Sequence, residues 1–352
     1  VRILFAGTPQ TAVPSLHRLI EDGFEIAAVL TRAPAPVGRK RVLTPSAVHE
    51  AAAELGIPVL TPKSLRTPEI QAQISELAPQ AVAVVAYGLI IPESLLAVPT
   101  HGWVNLHFSL LPRWRGAAPV NYAIAAGDTK TGLSIFQIEK GLDTGPIFAQ
   151  EETPIGAQET AGELLARLAH SGATLLSRTL QDILAGTAHA TPQTGTPTLA
   201  PQFRSAWAQI NWETSAAEIA ARIRAATPVP GAWTLLEGQR VKIAPVEVAS
   251  SLSESSASAG STQTPATGSE SQTPALAPGE IGEDGYVGTA TEPVRLTRLA
   301  PAGKSHMDAR DWLRGARLAP GTRFTSPTTD TANSTTSKAT KRKDSISEQR
   351  AQ

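Results

Sequence analysis

The first 186 residues predict an α/β fold built on an open, mostly parallel sheet. Short apolar runs alternate with helical patterns, and residues 81–86 are apolar on both faces, as a buried parallel strand requires. The chain has 352 residues, enough for a second core. Residues 2–6 read as a strand, followed by the turn Gly7-Thr8-Pro9 and a helix carrying Val13, Leu16, Leu19 and Ile20. Residues 25–30 read as the second strand, 46–55 as a helix, 58–60 as a brief strand and 69–77 as another helix. The buried run 81–86 and the strand 103–107 complete the series. Residues 132–138 and 146–150 then read as a strand pair, and 159–185 as a long helix or broken helical pair ending at Gly186. Residues 187–202, rich in threonine and proline, read as a linker.

A second domain is expected over 203–324. Ser215 and Glu218 have the spacing of a capping box before a helix at 216–226, which Pro228-Val229-Pro230-Gly231 stops. Residues 232–236 and 239–248 read as a hairpin around Glu237-Gly238. Residues 249–278 are mostly Ser, Thr, Ala, Gly, Gln and Pro. Such a stretch buries too little apolar surface to offset its ordering entropy, so a disordered insertion is expected. Strand patterns resume at 279–290 and 294–300, a short helix follows at 308–314, and the polar tail 325–352 is expected to be disordered.

Lys plus Arg number 31 and Asp plus Glu number 31, so any nucleic-acid contact must rest on local basic patches. There is no cysteine, which excludes disulfides, thiolate nucleophiles and cysteine-ligated zinc. The longest apolar run, residues 81–91, falls short of the ~20 residues that span a bilayer. The chain opens on a strand pattern without a signal-like segment, so no membrane association and a cytoplasmic site are expected; a monomer is expected as well.

Alternate residues of a strand share a face, so Asn105 and His107 project together while Val104 and Leu106 face away. They stand at the carboxyl end of a parallel strand, where open α/β sheets place their ligands. An amide donor beside an imidazole suits a carbonyl becoming an oxyanion, where each preorganised donor is worth ~3 kcal/mol. The pair would equally serve as a hydrogen-bonded strand end. Farther on, Ser109-Leu110-Leu111-Pro112-Arg113-Trp114-Arg115-Gly116-Ala117-Ala118-Pro119 and Gly141-Leu142-Asp143-Thr144-Gly145 are specific strings. Taken alone, Asp143 between glycines reads as an Asx-turn residue.

These strings together resemble the folate-dependent formyltransferases. Phe5-Ala6-Gly7-Thr8-Pro9, Ala86-Tyr87-Gly88-Leu89 and Arg113-Trp114-Arg115-Gly116 resemble the branch acting on methionyl-tRNA. The resemblance covers residues 2–186 strongly and 203–324 more weakly. It implies a Rossmann-like catalytic domain, with Asn105, His107 and Asp143 as catalytic trio and 10-formyltetrahydrofolate as formyl donor. The amine of methionine would attack the formyl carbon, with a protonated His107 and the Asn105 amide stabilising the oxyanion. Asp143 would raise the His107 pKa above its ordinary value and help move the amine proton. The folate site would be Ser109, Leu110, Leu111 and Pro112, with the backbone around Tyr87, Leu89 and Ile90 holding the pterin. No metal is expected. Phe108 departs from the small residue usual there, and is expected to turn away from the catalytic pair. A dinucleotide site is disfavoured, because Gly7-Thr8-Pro9 lacks the Gly-x-Gly-x-x-Gly string.

Residues 31–47 form a long connection holding Arg32, Arg39, Lys40 and Arg41, three prolines and no acid. A basic loop of this kind is commonly just solvated. This one resembles the family's insertion loop, which reaches the acceptor end of the initiator tRNA, with Arg39 as its principal contact beside Lys40 and Arg41. The second domain resembles the family's small OB-like barrel, a tRNA-binding domain. Residues 291–324 carry seven basic groups against three acids, a local excess that could neutralise phosphates. Where relatives are lysine-rich near the linker, this chain has Phe203-Arg204-Ser205-Ala206-Trp207.

Overall fold

Residues 3–6 and 81–85 are buried without polar alternation, a pattern that only a strand covered on both faces sustains. The computed structural model describes residues 1–38, 40–249 and 276–327. They fall into two units, the first Val1–Phe203 and the second from Arg204 onward.

In the first unit β1 (Arg2–Gly7) leads through a short 3-10 turn into α1 (Val13–Glu21) and β2 (Glu25–Leu30). A ribbon of β3 (Ala35–Val37) and β4 (Val42–Thr44) precedes α2 (Ala47–Glu54), β5 (Val59–Leu60) and α3 (Pro68–Glu76). Then come β6 (Ala81–Val85), α4 (Glu93–Leu96), β7 (Trp103–His107), β8 (Arg115–Gly116) and α5 (Pro119–Ala125). The unit closes with β9 (Lys130–Gln137), β10 (Ile147–Pro154), α6 (Ala161–Leu184) and β11 (Leu199–Ala200). The sheet order is β10-β9-β7-β6-β1-β2-β5. Its five strands from β7 to β5 run parallel, and β9 and β10 add an antiparallel edge. The mostly parallel sheet expected from the sequence is therefore present.

The order places a topological switch between β1 and β6, whose successors leave in opposite directions. Open α/β sheets bind ligands outside the strand ends at such a switch. Thr8 Oγ1 donates to the Tyr87 carbonyl at 2.8 Å, tying the two turns that leave these strands. One face of the sheet packs α3, α4 and the buried Trp103, whose Nε1 donates to the Leu95 carbonyl. On the other face Leu106 lies against Gly172 of α6. The last helix starts with a capping box, Thr160 and Glu163, two residues later than the sequence pattern places it.

Residues 187–202 are not a free linker. Leu199 and Ala200 pair in parallel with Arg115 and Gly116, and Thr191 bridges to Ile147. The segment belongs to the first unit, because its backbone groups find partners there rather than in solvent.

The second unit contains α7 (Ala216–Ala226), capped by Ser215 and Glu218 as the sequence predicts. The hairpin of β12 (Trp233–Leu236) and β13 (Gln239–Ile243) turns at Glu237 and Gly238, both with positive φ. Four short strands follow the predicted patterns more sparsely than expected, with β14 (Glu247–Val248) ahead of them: β15 (Tyr286–Val287), β16 (Val294–Arg295), β17 (Arg298–Ala300) and β18 (Met307–Asp308). The chain then enters α8 (Ala309–Ala316), capped by Asp308. They form two small antiparallel sheets, β12-β13-β17-β18 and β14-β16-β15. Of the predicted insertion 249–278, residues 250–275 lie outside the described residues; Pro278 already bridges to Gly288. The predicted tail begins too early as well. Thr325 bridges to Leu235 and Ser326 Oγ accepts from the Trp212 amide, while 328–352 lie outside the described residues.

Candidate active site

Strand β7 places the first two candidates. Asn105 is paired with Val84 on one side and Phe136 on the other, and directly opposed residues share a face. Phe136 meets the His107 ring edge-on with centroids 6.2 Å apart, so Asn105, His107 and Phe136 stand on one face. The Asn105 side chain is half-buried and has no hydrogen-bond partner among the described residues. The amide is thus open to solvent in part and free to donate to a bound carbonyl. Phe108 is folded into the core at 6% exposure, and the ring against His107 is Phe136.

His107 is 5% exposed and held from both sides. Its Nε2 lies 2.9 Å from the Trp114 carbonyl, which can only accept, so the neutral ring carries its proton there. Nδ1 then faces Asp143 Oδ2 at 3.8 Å with a free lone pair. Burial depresses the His107 pKa below the ordinary imidazole value, and the Asp143 charge and the Trp114 carbonyl oppose that only in part. The sequence expectation of a raised pKa is thus corrected: Asp143 acts in the expected direction, but desolvation wins.

Asp143 sits at the apex of its glycine-flanked turn with φ 50°, in the left-handed region. Its Oδ2 accepts from the Gly116 amide at 2.7 Å, which anchors it to the Arg115–Gly116 strand. Gln193 supports the same turn, donating from Nε2 to the Asp143 and Gly145 carbonyls at 2.8 Å each. Its Oε1 accepts from Arg115 Nε and Nη2 at 3.1 and 2.6 Å. Sequence reasoning passed over Gln193 because it lies in an irregular, threonine-rich stretch that has no periodicity to read.

The other predicted residues divide into two groups. Ser109 and Leu111 are buried in a self-contained turn: Ser109 Oγ donates to the Arg113 carbonyl, and Ser134 Oγ joins the Ser109 carbonyl to the Leu111 amide. The Leu110 carbonyl accepts from Arg113 N, and that of Pro112 from Thr198 N. By contrast, Leu89 and Ile90 leave the end of β6, beside Asn105, with backbone groups that bond to nothing among the described residues. Ile90 is 76% exposed, an apolar side chain held in solvent next to the switch point. Tyr87 is buried; its hydroxyl has no partner among the described residues, and burial pushes its pKa up.

The basic connection is a β-ribbon, β3 with β4, whose tip holds Lys40 and Arg41. Arg39 lies outside the described residues. Val37, Val42 and Leu43 on the ribbon are exposed. At its base Arg32 Nη1 donates to the Gly88 carbonyl at 3.0 Å, joining the ribbon to the turn after β6. In the second unit the basic excess is partly consumed. Arg295 pairs with Glu247, Arg323 with Glu280 and Arg314 with Asp311.

Comparison with known proteins bears on the family of the whole chain. The family model described as formyl transferase matches residues 1–180, and that of the formyl transferase C-terminal domain matches 204–317. The methionyl-tRNA formyltransferase of Arthrobacter sp. (strain FB24) is 50% identical over 318 residues, covering 90% of this chain and 97% of the relative. That of Acidothermus cellulolyticus is 48% identical over 92% of this chain and 100% of the relative. Among solved structures, the methionyl-tRNA formyltransferase from Clostridium thermocellum aligns with TM-score 0.51 at 16% identity, over 71% of this chain and 94% of its own. The sugar 3N-formyl transferase WlaRD aligns with TM-score 0.59 at 16% identity, over 87% of this chain and 99% of its own. At that identity the two structures speak for the fold alone. The two family models and the near-full-length relatives together establish that this chain belongs to the methionyl-tRNA formyltransferase family.

Proposed function

We propose that the chain transfers the formyl group of 10-formyltetrahydrofolate to the α-amino group of methionyl initiator tRNA, as a monomer in the cytoplasm. The observation that carries this reading is the Asn105 amide, without a partner among the described residues, beside a buried His107 whose Nδ1 faces Asp143. Asn105 donates to the formyl oxygen as it gains negative charge. His107 starts neutral, and its Nδ1 accepts the proton that the attacking amine sheds. The resulting imidazolium is held between Asp143 and the Trp114 carbonyl, and adds positive charge beside the oxyanion. The new C–N bond forms on the amine to give the tetrahedral oxyanion, whose collapse breaks the bond from the formyl carbon to the folate nitrogen; that nitrogen takes the proton back from the imidazolium as it leaves, and His107 returns to its neutral form. The free backbone edge at Leu89 and Ile90 suits the pterin, which presents donors and acceptors along one side. Ser109, Leu110, Leu111 and Pro112 shape the wall beside it. Lys40 and Arg41 on the ribbon contact the tRNA, as does Arg39.

The deciding experiment supplies the formyl donor with methionyl initiator tRNA, methionyl elongator tRNA or small amines. Formylation of the charged initiator is expected to exceed the others. Preference for a small amine would sink the reading. Arg39→Ala is expected to raise KM for the tRNA while folate binding stays unchanged; unaltered tRNA kinetics would leave the ribbon as solvated surface.

A further inference from the structure

We infer that Gln193 is a positioning residue for formyl transfer, holding Asp143 and the His107 acceptor in register from a strap formed by residues 191–200. The inference rests on His107 and Asp143 being the reacting pair.

The side-chain amide of Gln193 uses its whole hydrogen-bonding capacity on the site. Two N–H groups go to the carbonyls of Asp143 and Gly145, and the oxygen takes two donors from Arg115. Carbonyls accept and the guanidinium donates, so the amide has one possible orientation. It therefore clamps the glycine-flanked turn to the strand that carries the other half of the site. On that strand two successive peptide groups serve the pair. The carbonyl of the Trp114–Arg115 peptide meets His107 Nε2, and the amide of that same peptide donates to the Thr198 carbonyl at 2.8 Å. The next amide, Gly116 N, meets Asp143 Oδ2. Thr198 also takes the Trp114 amide on Oγ1 at 2.8 Å. The strap thus grips both ends of the geometry that separates Nδ1 from Oδ2.

Asp143 has reason to move if released. Its left-handed backbone costs an L-residue roughly 1–2 kcal/mol, and Gln193 bonds the carbonyl at the very residue that bears this strain. A shift of about 1 Å in a reacting group can cost 100-fold in rate.

The test compares Gln193→Ala and Gln193→Glu with the unaltered protein. The glutamate keeps the acceptor for Arg115 but cannot donate to the two carbonyls, so it probes the clamp even if the alanine variant fails to fold. Both are expected to lower kcat about tenfold or more, with KM for the formyl donor within about twofold. In Gln193→Ala the His107 titration, followed by imidazole NMR and by the acid limb of kcat against pH, is expected to move to lower pH as Asp143 drifts away; the added carboxylate of Gln193→Glu opposes that shift, so the glutamate variant is read by kcat and KM alone. Unchanged kcat, or in the alanine variant a fall in kcat with the His107 titration unmoved, would overturn the proposal. His107→Ala, assayed alongside, separates the two questions: near-normal turnover there would defeat the catalytic pair itself.

Discussion

At His107 two influences of opposite sign meet, and their order decides the chemistry. Desolvation depresses the imidazole pKa and Asp143 raises it; desolvation is the larger. The neutral form therefore dominates at neutral pH and persists below the ordinary imidazole range, so activity that needs a neutral base should hold into mildly acidic solution. Removing the Asp143 charge leaves desolvation unopposed. Asp143→Asn is accordingly expected to lower the rate and to move the acid limb of kcat to still lower pH; a limb moving upward would contradict this balance. For Asn105, whose amide has no other occupation among the described residues, Asn105→Ala is expected to reduce kcat about 100-fold. Stability should scarcely change, because no internal hydrogen bond is lost. Steady-state kinetics beside urea titration would check both halves of that statement.

The elements explain which parts of the site could be read in advance. Asn105 and His107 were legible because strand alternation is local: residues two apart share a face wherever the strand lies. The Ser215–Glu218 cap was legible for the same reason. Gln193 was not, since its partners lie between 48 and 78 residues upstream and it reaches them from irregular backbone. The depressed pKa of His107 was equally hidden, because burial depends on what β9 and the 109–116 turn bring around it. The turn carrying Asp143 depends on Gly145 for a close approach: a Cβ there would collide with the Gln137 carbonyl oxygen. Gly145→Ala is expected to displace the turn from β9 and lower kcat at least tenfold, with some loss of thermal stability. Normal turnover would show that Asp143 tolerates such a shift.

For the molecule as a whole, zero net charge means that no long-range field draws in an anionic polymer. Attraction has to come from local groups, and the structure thins those in the second unit. Glu247 and Glu280 neutralise arginines distant from them in sequence, which a count over a window of residues misses. Arg298, Lys304, Arg310 and Arg317 keep their charges free of ion pairs among the described residues, as do Lys40 and Arg41 on the ribbon. The double variant Lys40→Ala, Arg41→Ala is expected to weaken tRNA use and to lessen the logarithmic dependence of affinity on salt by about one to two. An unchanged salt slope would place the phosphate contacts elsewhere.

The pairing of Leu199 and Ala200 with Arg115 and Gly116 also sets where this protein can be recombined. A chimera joined after Gly186, where the long helix ends, would discard the strap and orphan the amides of Trp114, Arg115 and Ala118. A foreign second domain should instead be grafted beyond Phe203, so that the donor of the catalytic half brings its own closing strand with it.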